Sequence, residues 1–298
     1  MKIKFVNIDI EKDLYEYVYQ YFYDQITYYL EVLSLKDINL EVHFVNRSLK
    51  QFNEECGAAG MQKKHNKYFV FITKSVISNL MNGKEKNVES AVLHEIYHVY
   101  DYIQIYKSKD IKFRPNQSNW TFSNAVMRVG FCNWTEYHSY ARCYFVVNDR
   151  EFTTLKSLVN RYKKIKTIHK DILKEVHKYK ENTSEILNNK IDLLFDKLEF
   201  LSYLSMDYLA WNNFGGKYNY KYCDKTLNDP DFIWIQKYVK GLNKYMSKMT
   251  HGTYGKYFET RLYKIGDYIL RKLYIPFNIG IGKENNQYFM AFGIENKL

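Results

Sequence analysis

An α+β fold follows from three features of the sequence. Two short runs carry the marks of strands: Leu40-Glu41-Val42-His43-Phe44-Val45 alternates apolar and polar residues, and Tyr68-Phe69-Val70-Phe71-Ile72-Thr73 is aromatic and β-branched. Long stretches without glycine or proline and with apolar residues at mixed helical spacing surround them. The chain then closes on two further strand-like runs. In order, Glu11 to Leu33 reads as a helix burying an aromatic face, and Leu40 to Val45 as a half-buried strand. Gly57-Ala58-Ala59-Gly60 permits a tight turn before the strand Tyr68 to Thr73, and Asn82-Gly83 ends that segment. A helix opens near Asn87, with Glu89 favoured in its first turn by the helix dipole, and runs to about Tyr106. A loop with Pro115 follows, then a helix over Asn133 to Val147. From Glu151 to about Met249 the chain is mostly Lys/Tyr/Leu-rich helix, interrupted at Gly215-Gly216 and Asp229-Pro230. Phe277 to Gly282 and Gln287 to Phe292, joined by a polar turn, read as a β-hairpin.

Composition narrows the class. With 298 residues, 46% of them hydrophobic, and only 13 Gly and 3 Pro, the chain is long enough for a sizeable core and is neither collagen-like nor low-complexity. No Pro/Gly/Ser-rich linker marks a clean boundary. The charge does divide: residues 1–150 carry 19 basic and 17 acidic side chains, and residues 151–298 carry 25 and 16. We therefore expect one domain over 1–150 and a helical, basic domain over 151–298 that ends in the hairpin. The lysines are scattered at helical spacing rather than massed, so nucleic acid is a possible partner but not the favoured one. Cys56, Cys132, Cys143 and Cys223 form no C-x-x-C pair, which fits neither a disulfide framework nor a thiolate metal site. The N-terminus turns acidic at Asp9 before any apolar run of signal length, and no window approaches 18 uncharged apolar residues. The expectation is a soluble, cytoplasmic protein without a membrane span.

One motif carries chemistry. Within the helix after Asn87 stands His94-Glu95-Ile96-Tyr97-His98, an H-E-x-x-H match. Positions i and i+4 lie about 40° apart around a helix, so both imidazoles project from one face toward one tetrahedral metal ion. Glu95, about 100° to the side, is placed to act as general base on a metal-bound water. Val92, Ile96, Val99 and Ile103 form an apolar stripe opposite, which would anchor the helix to the core. With 8 His and 18 Glu in the chain, random placement gives such a motif roughly 0.013 times. A competing reading takes Ser90, His94, His98 and Asp101 as the solvated face of an amphipathic helix. A catalytic zinc needs a third protein ligand. Asp101 shares the His94 face but is better placed to accept an N–H from a ligand imidazole. Glu136 and His138 are two residues apart on a helix, about 200° of rotation, so they cannot both face the metal. Glu136 also fits a capping box, Asn133-x-x-Glu136.

The pair His94-Glu95-x-x-His98 and Glu136-x-x-Ser139 resembles the gluzincin branch of the zincin metallopeptidases, over about residues 10–148, and the order of elements is similar to compact ImmA/IrrE-type peptidases of mobile elements and stress regulation. The resemblance implies a zincin-like unit of small twisted sheet, active-site helix and glutamate helix. It implies Zn²⁺ on His94, His98 and Glu136, with Glu95 as base. It further implies an edge strand, Tyr68, Phe69, Val70 and Phe71, pairing with an extended substrate. Tyr137 and Tyr140 are the candidate oxyanion donors. The expected activity is zinc-dependent endopeptidase cleavage of a specific intracellular protein substrate. The competing class is a binding or structural protein of a mobile element or phage, with a non-catalytic metal site and a basic half holding nucleic acid or a partner. The sequence leaves the oligomeric state open.

Overall fold

A computed structural model describes residues 1–6, 8, 10–46, 59–65, 67–115, 121–147, 153–178, 185–215, 229–249, 254–284 and 287–293. The fold is α+β, predominantly helical with a small mixed sheet. The chain divides into two compact units, Met1–Lys107 with His138–Glu151, and Ser108–Tyr137 with Phe152–Leu298. The expected boundary near 150 is thus only part of the division, because 108–137 belong to the second unit.

In the first unit the strands β1 (Lys2–Val6), β2 (Leu40–Val45), β3 (Ala59–Lys64) and β4 (Lys67–Thr73) form one sheet in the order β1-β2-β4-β3. β1, β2 and β4 run parallel, and β3 pairs antiparallel with β4 at the end of the sheet. Tyr68 to Phe71 therefore lie on an interior strand with β2 on one side and β3 on the other. This corrects their expected place at an edge. Neither β1 nor β3 was anticipated; β3 starts at Ala59 where a turn was expected, while Gly57 and Ala58 lie outside the described residues. Because side chains alternate across a strand, Leu40, Val42 and Phe44 of β2 and Val70 and Ile72 of β4 share one face. They form the core with Val18, Phe22 and Ile26 of helix α1 (Lys12–Val32), Val76 and Leu80 of α2 (Lys74–Met81), and the apolar stripe of α3 (Glu85–Lys107).

The opposite sheet face holds Glu41, whose carboxylate is buried yet accepts from Lys4 Nζ and His43 Nε2, each at 3.0 Å, and from Lys67 Nζ. These donors, from β1, β2 and β4, hold its carboxyl down from 4.5 to about 2, Lys67 and His43 contributing most and burial opposing them. A folded-state pKa below the unfolded one gives stability that is complete above about 4.5 and is lost as pH falls toward 2. Glu41→Gln is thus expected to flatten the acid limb of a urea-midpoint profile between those values. At neutral pH it should cost about 1 kcal/mol, since the partly exposed lysines rehydrate when the carboxylate is removed. An unchanged acid limb would remove Glu41 from this role.

Helix α4 (Phe122–Val146) spans both units, its residues to Tyr137 in the second and those from His138 in the first. It begins eleven residues before the expected start at Asn133, where Thr121 Oγ1 accepts from Asn124 N–H at 3.2 Å. The second unit adds α5 (Leu155–Lys178), α6 (Glu185–Ala210) with a π-helical turn at Trp211–Gly215, α7 (Pro230–Met246) and α8 (Phe258–Ile269). Asp229 caps α7 by accepting from Asp231 N–H at 2.9 Å, with Pro230 at the first helical position. Lys163 to Asp229, and Lys166 to Asp231 at 2.6 Å, tie α5 to the start of α7. Tyr162, Trp234, Tyr238 and Tyr268 stack in succession between α5, α7 and α8. The C-terminal hairpin is present as expected, with β5 (Ile279–Glu284) antiparallel to β6 (Gln287–Phe292). Among the described residues no helix is long and apolar enough to cross a membrane.

Candidate metal centre

The centre is built on α3, which runs without glycine or proline from Glu85, an acidic residue suited to the first turn, to Lys107 in the last. Its stripe Val92, Ile96, Val99 and Ile103 is buried in the core as expected. The residues on the opposite face are buried too: Ser90 is 5% exposed, His94 9%, His98 7% and Asp101 0%. A solvated polar face is therefore excluded. Buried polar groups must be satisfied by hydrogen bonds or ions, or they cost free energy.

The i, i+4 spacing brings His94 Nε2 and His98 Nε2 to 2.9 Å, with the rings nearly perpendicular at 82°. Among the described residues, the donor atoms of His94, His98 and the half-buried Glu136 all lie within 4.8 Å of one another. Two imidazole nitrogens and one carboxylate oxygen suit a borderline cation such as Zn²⁺. A tetrahedral ion with bonds of 2.0–2.1 Å would set the two nitrogens about 3.3 Å apart, so a change of a few tenths of an ångström suffices.

Helix α4 supplies the rest. It runs antiparallel to α3, as paired contacts from its C-terminal half show: Cys143 Sγ meets Ser90 O at 3.4 Å, Ser139 Oγ lies 3.4 Å from His98 Nδ1, and His138 Nδ1 donates to Asp101 Oδ1 at 2.7 Å. When His98 Nδ1 carries the proton toward Ser139, its Nε2 presents a lone pair to the metal position. Ser139 holds the place that sequence reasoning gave to Asp101, whose carboxylate binds His138. Among the described residues it is Glu136, and not His138, whose ligand atom converges on those of the two histidines. The capping box is overturned as well: Asn133 lies mid-helix and its Nδ2 donates to Val129 O at 2.9 Å.

Glu95 is buried, 5% exposed, beside His94 on α3. Of the two oxyanion candidates, Tyr140 packs its ring 4.5 Å from that of His94, one helical turn after Glu136. Tyr137 accepts instead from Asn213 Nδ2 at 2.9 Å, its ring lies tilted 6.0 Å from that of Phe214, and burial raises its phenol. The charge of Glu136 also acts on Cys132 and Tyr203. Burial pushes the Cys132 thiol up to about 11, helped by the charges of Glu199 and Glu136 and opposed by Arg128, so it is a neutral thiol rather than a thiolate at pH 7. The contacts of Ser139 with His98 and of Asp101 with His138 were not anticipated. The signal for the pair lay only in two polar residues 37 positions apart, which no local spacing joins.

No protein-family model, no curated protein and no solved structure matches the chain.

Proposed function

We propose that the protein is a zinc-dependent endopeptidase acting on a specific intracellular protein. The observation that carries this reading is the convergence of two buried Nε2 atoms 2.9 Å apart with a carboxylate supplied by the neighbouring helix. Zinc, when bound, polarises a scissile carbonyl and acidifies water. The remaining work falls to this chain. His94, His98 and Glu136 would hold the ion; Ser139 Oγ, 3.4 Å from His98 Nδ1, would accept its proton and leave Nε2 to the ion. Glu95, on α3 next to a ligand, would take a proton from the attacking water and deliver it to the leaving amine. Tyr140, against His94, is the candidate donor to the developing oxyanion. In the four-stranded sheet an extended substrate can add only at an end, β1 or β3.

Glu95→Gln tests the assignment, because it keeps the shape of the site while removing the base. With a quenched fluorescent peptide library as substrate, the variant should bind one zinc as the parent does and lose about 10²- to 10⁴-fold in hydrolysis. Equal hydrolysis by both chains would remove Glu95 from the reaction. A parent chain that binds zinc and cleaves nothing would favour a binding protein with a non-catalytic centre.

A further inference from the structure

Helix α1 is anomalous in a chain of net charge +11: from Glu11 to Val32 five carboxylates stand against one lysine. Its inner side, Val18, Phe22, Ile26, Tyr29 and Leu30, belongs to the core of the first unit. Its outer side is neither apolar nor an ordinary charged surface. Tyr15 is 42% exposed, Tyr17 51%, Tyr23 39% and Tyr28 60%. At about 100° per residue, Glu16, Gln20, Asp24 and Glu31 fall along one line within roughly 40° of its middle. Tyr15, Tyr19 and Tyr23 lie on one flank of that line, and Tyr17 and Tyr28 on the other. The first flank is ordered by stacking, with ring centroids 6.3 Å apart between Tyr15 and Tyr19 and 6.1 Å between Tyr19 and Tyr23, at interplanar angles of 19° and 14°. Tyr17 rests against Tyr21 and Tyr28 against Tyr29, so both rings are braced while one face stays open to solvent. Glu31 pairs with Lys36 at 2.8 Å and Asp24 accepts from Gln20 at 2.7 Å, whereas among the described residues neither Glu16 nor Asp24 has a cationic partner.

We infer that this face is a docking surface for a lysine- or arginine-rich protein segment. Charge and ring chemistry select that occupant. A cation over a tyrosine face is attracted by the ring quadrupole, and carboxylates running between two rows of rings place negative charge where such a cation would sit. Nucleic acid is repelled by the same carboxylates, and a purely apolar partner would have to desolvate them without return. Tyrosine adds large contact area at low entropic cost, which is why it concentrates at interfaces.

Fluorescein-labelled octalysine is the probe, titrated into the full chain at about 0.15 M salt, where surface charges are screened beyond about 8 Å. The rest of the protein is net basic and repels this peptide, so saturable 1:1 binding reports a local acidic site. Tyr17→Ser with Tyr28→Ser should weaken binding about 10-fold, and Glu16→Gln with Asp24→Asn by a similar factor, whereas Tyr17→Phe with Tyr28→Phe, which keeps the rings, should stay within about twofold. All these side chains are solvent-exposed, and far-UV circular dichroism checks that each variant is folded. Absence of binding, or binding indifferent to the serine pair, overturns the inference. So does concentration-dependent self-association abolished by that pair, which would make the occupant a second copy of the chain. The experiment does not involve the metal centre.

Discussion

His98→Ala is expected to reduce zinc affinity by about 10²- to 10⁴-fold, the loss of roughly a third of the 10–16 kcal/mol typical of a protein-bound zinc. The size follows from geometry. His94 and His98 Nε2 are 2.9 Å apart inside a face that is almost fully buried, so deleting one ring leaves a carboxylate and a single imidazole with no described side chain converging in its place. Ser139→Ala removes only the group that lies 3.4 Å from His98 Nδ1, and should cost about 10-fold. Competition with a chromophoric chelator measures both. Because an ion that binds the folded chain alone stabilises it by mass action, the parent should melt higher with added zinc and His98→Ala should not. Parental affinity in His98→Ala would mean that these two histidines are not ligands.

Much of α3 was legible because its information is local. The two histidines, the glutamate between them and the apolar stripe all lie within twelve residues of one helix, where a period of 3.6 places each side chain without reference to the rest of the chain. What failed was non-local. Ala59–Lys64 contains glycine, glutamine and two lysines, and is a strand only because β4 offers it a partner. Its presence turns β4 from an edge into an interior strand, so one missed pairing displaced the expected substrate edge. Helix α4 likewise begins eleven residues before Asn133, and Gly130 within it serves the close approach of another helix.

The choice among Glu136, His138 and Asp101 shows the same limit. Helical geometry alone states that Glu136 and His138 face different ways, and it leaves open which one faces the two histidines. In the structure the ligand atom of Glu136 lies with those of the two histidines, while Asp101, which is fully buried, takes the His138 N–H at 2.7 Å. A buried carboxylate without such a donor would be costly. The pairing fixes the rotation of α4 on α3, and the same rotation brings Tyr140 against His94 and Ser139 toward His98. Asp101 thus helps to orient the helix that carries Glu136.

Gly266→Ala is expected to destabilise the second unit by about 3 kcal/mol, at the upper end of overpacking costs. Helices α4 and α8 cross there with almost no separation between their backbones. A Cβ on Gly266 would stand 1.9 Å from Val126 O, and one on Gly130 would stand 1.9 Å from Leu262 O. Both obstacles are main-chain carbonyls, so no rotamer change relieves them and the helices must move apart. Each glycine forgoes about 1 kcal/mol of helix propensity, a cost the close packing has to offset. Gly241→Ala provides the contrast. Its Cβ would meet the hydroxyl of Tyr268 at 2.0 Å, a side-chain end that can swing away at the loss of its 3.0 Å hydrogen bond to Tyr238 O, while alanine regains helix propensity. The net change there should lie within about 1 kcal/mol. Urea unfolding of the three chains measures the order. Gly266→Ala unfolding at the same midpoint as Gly241→Ala would show that α4 and α8 do not make this backbone contact.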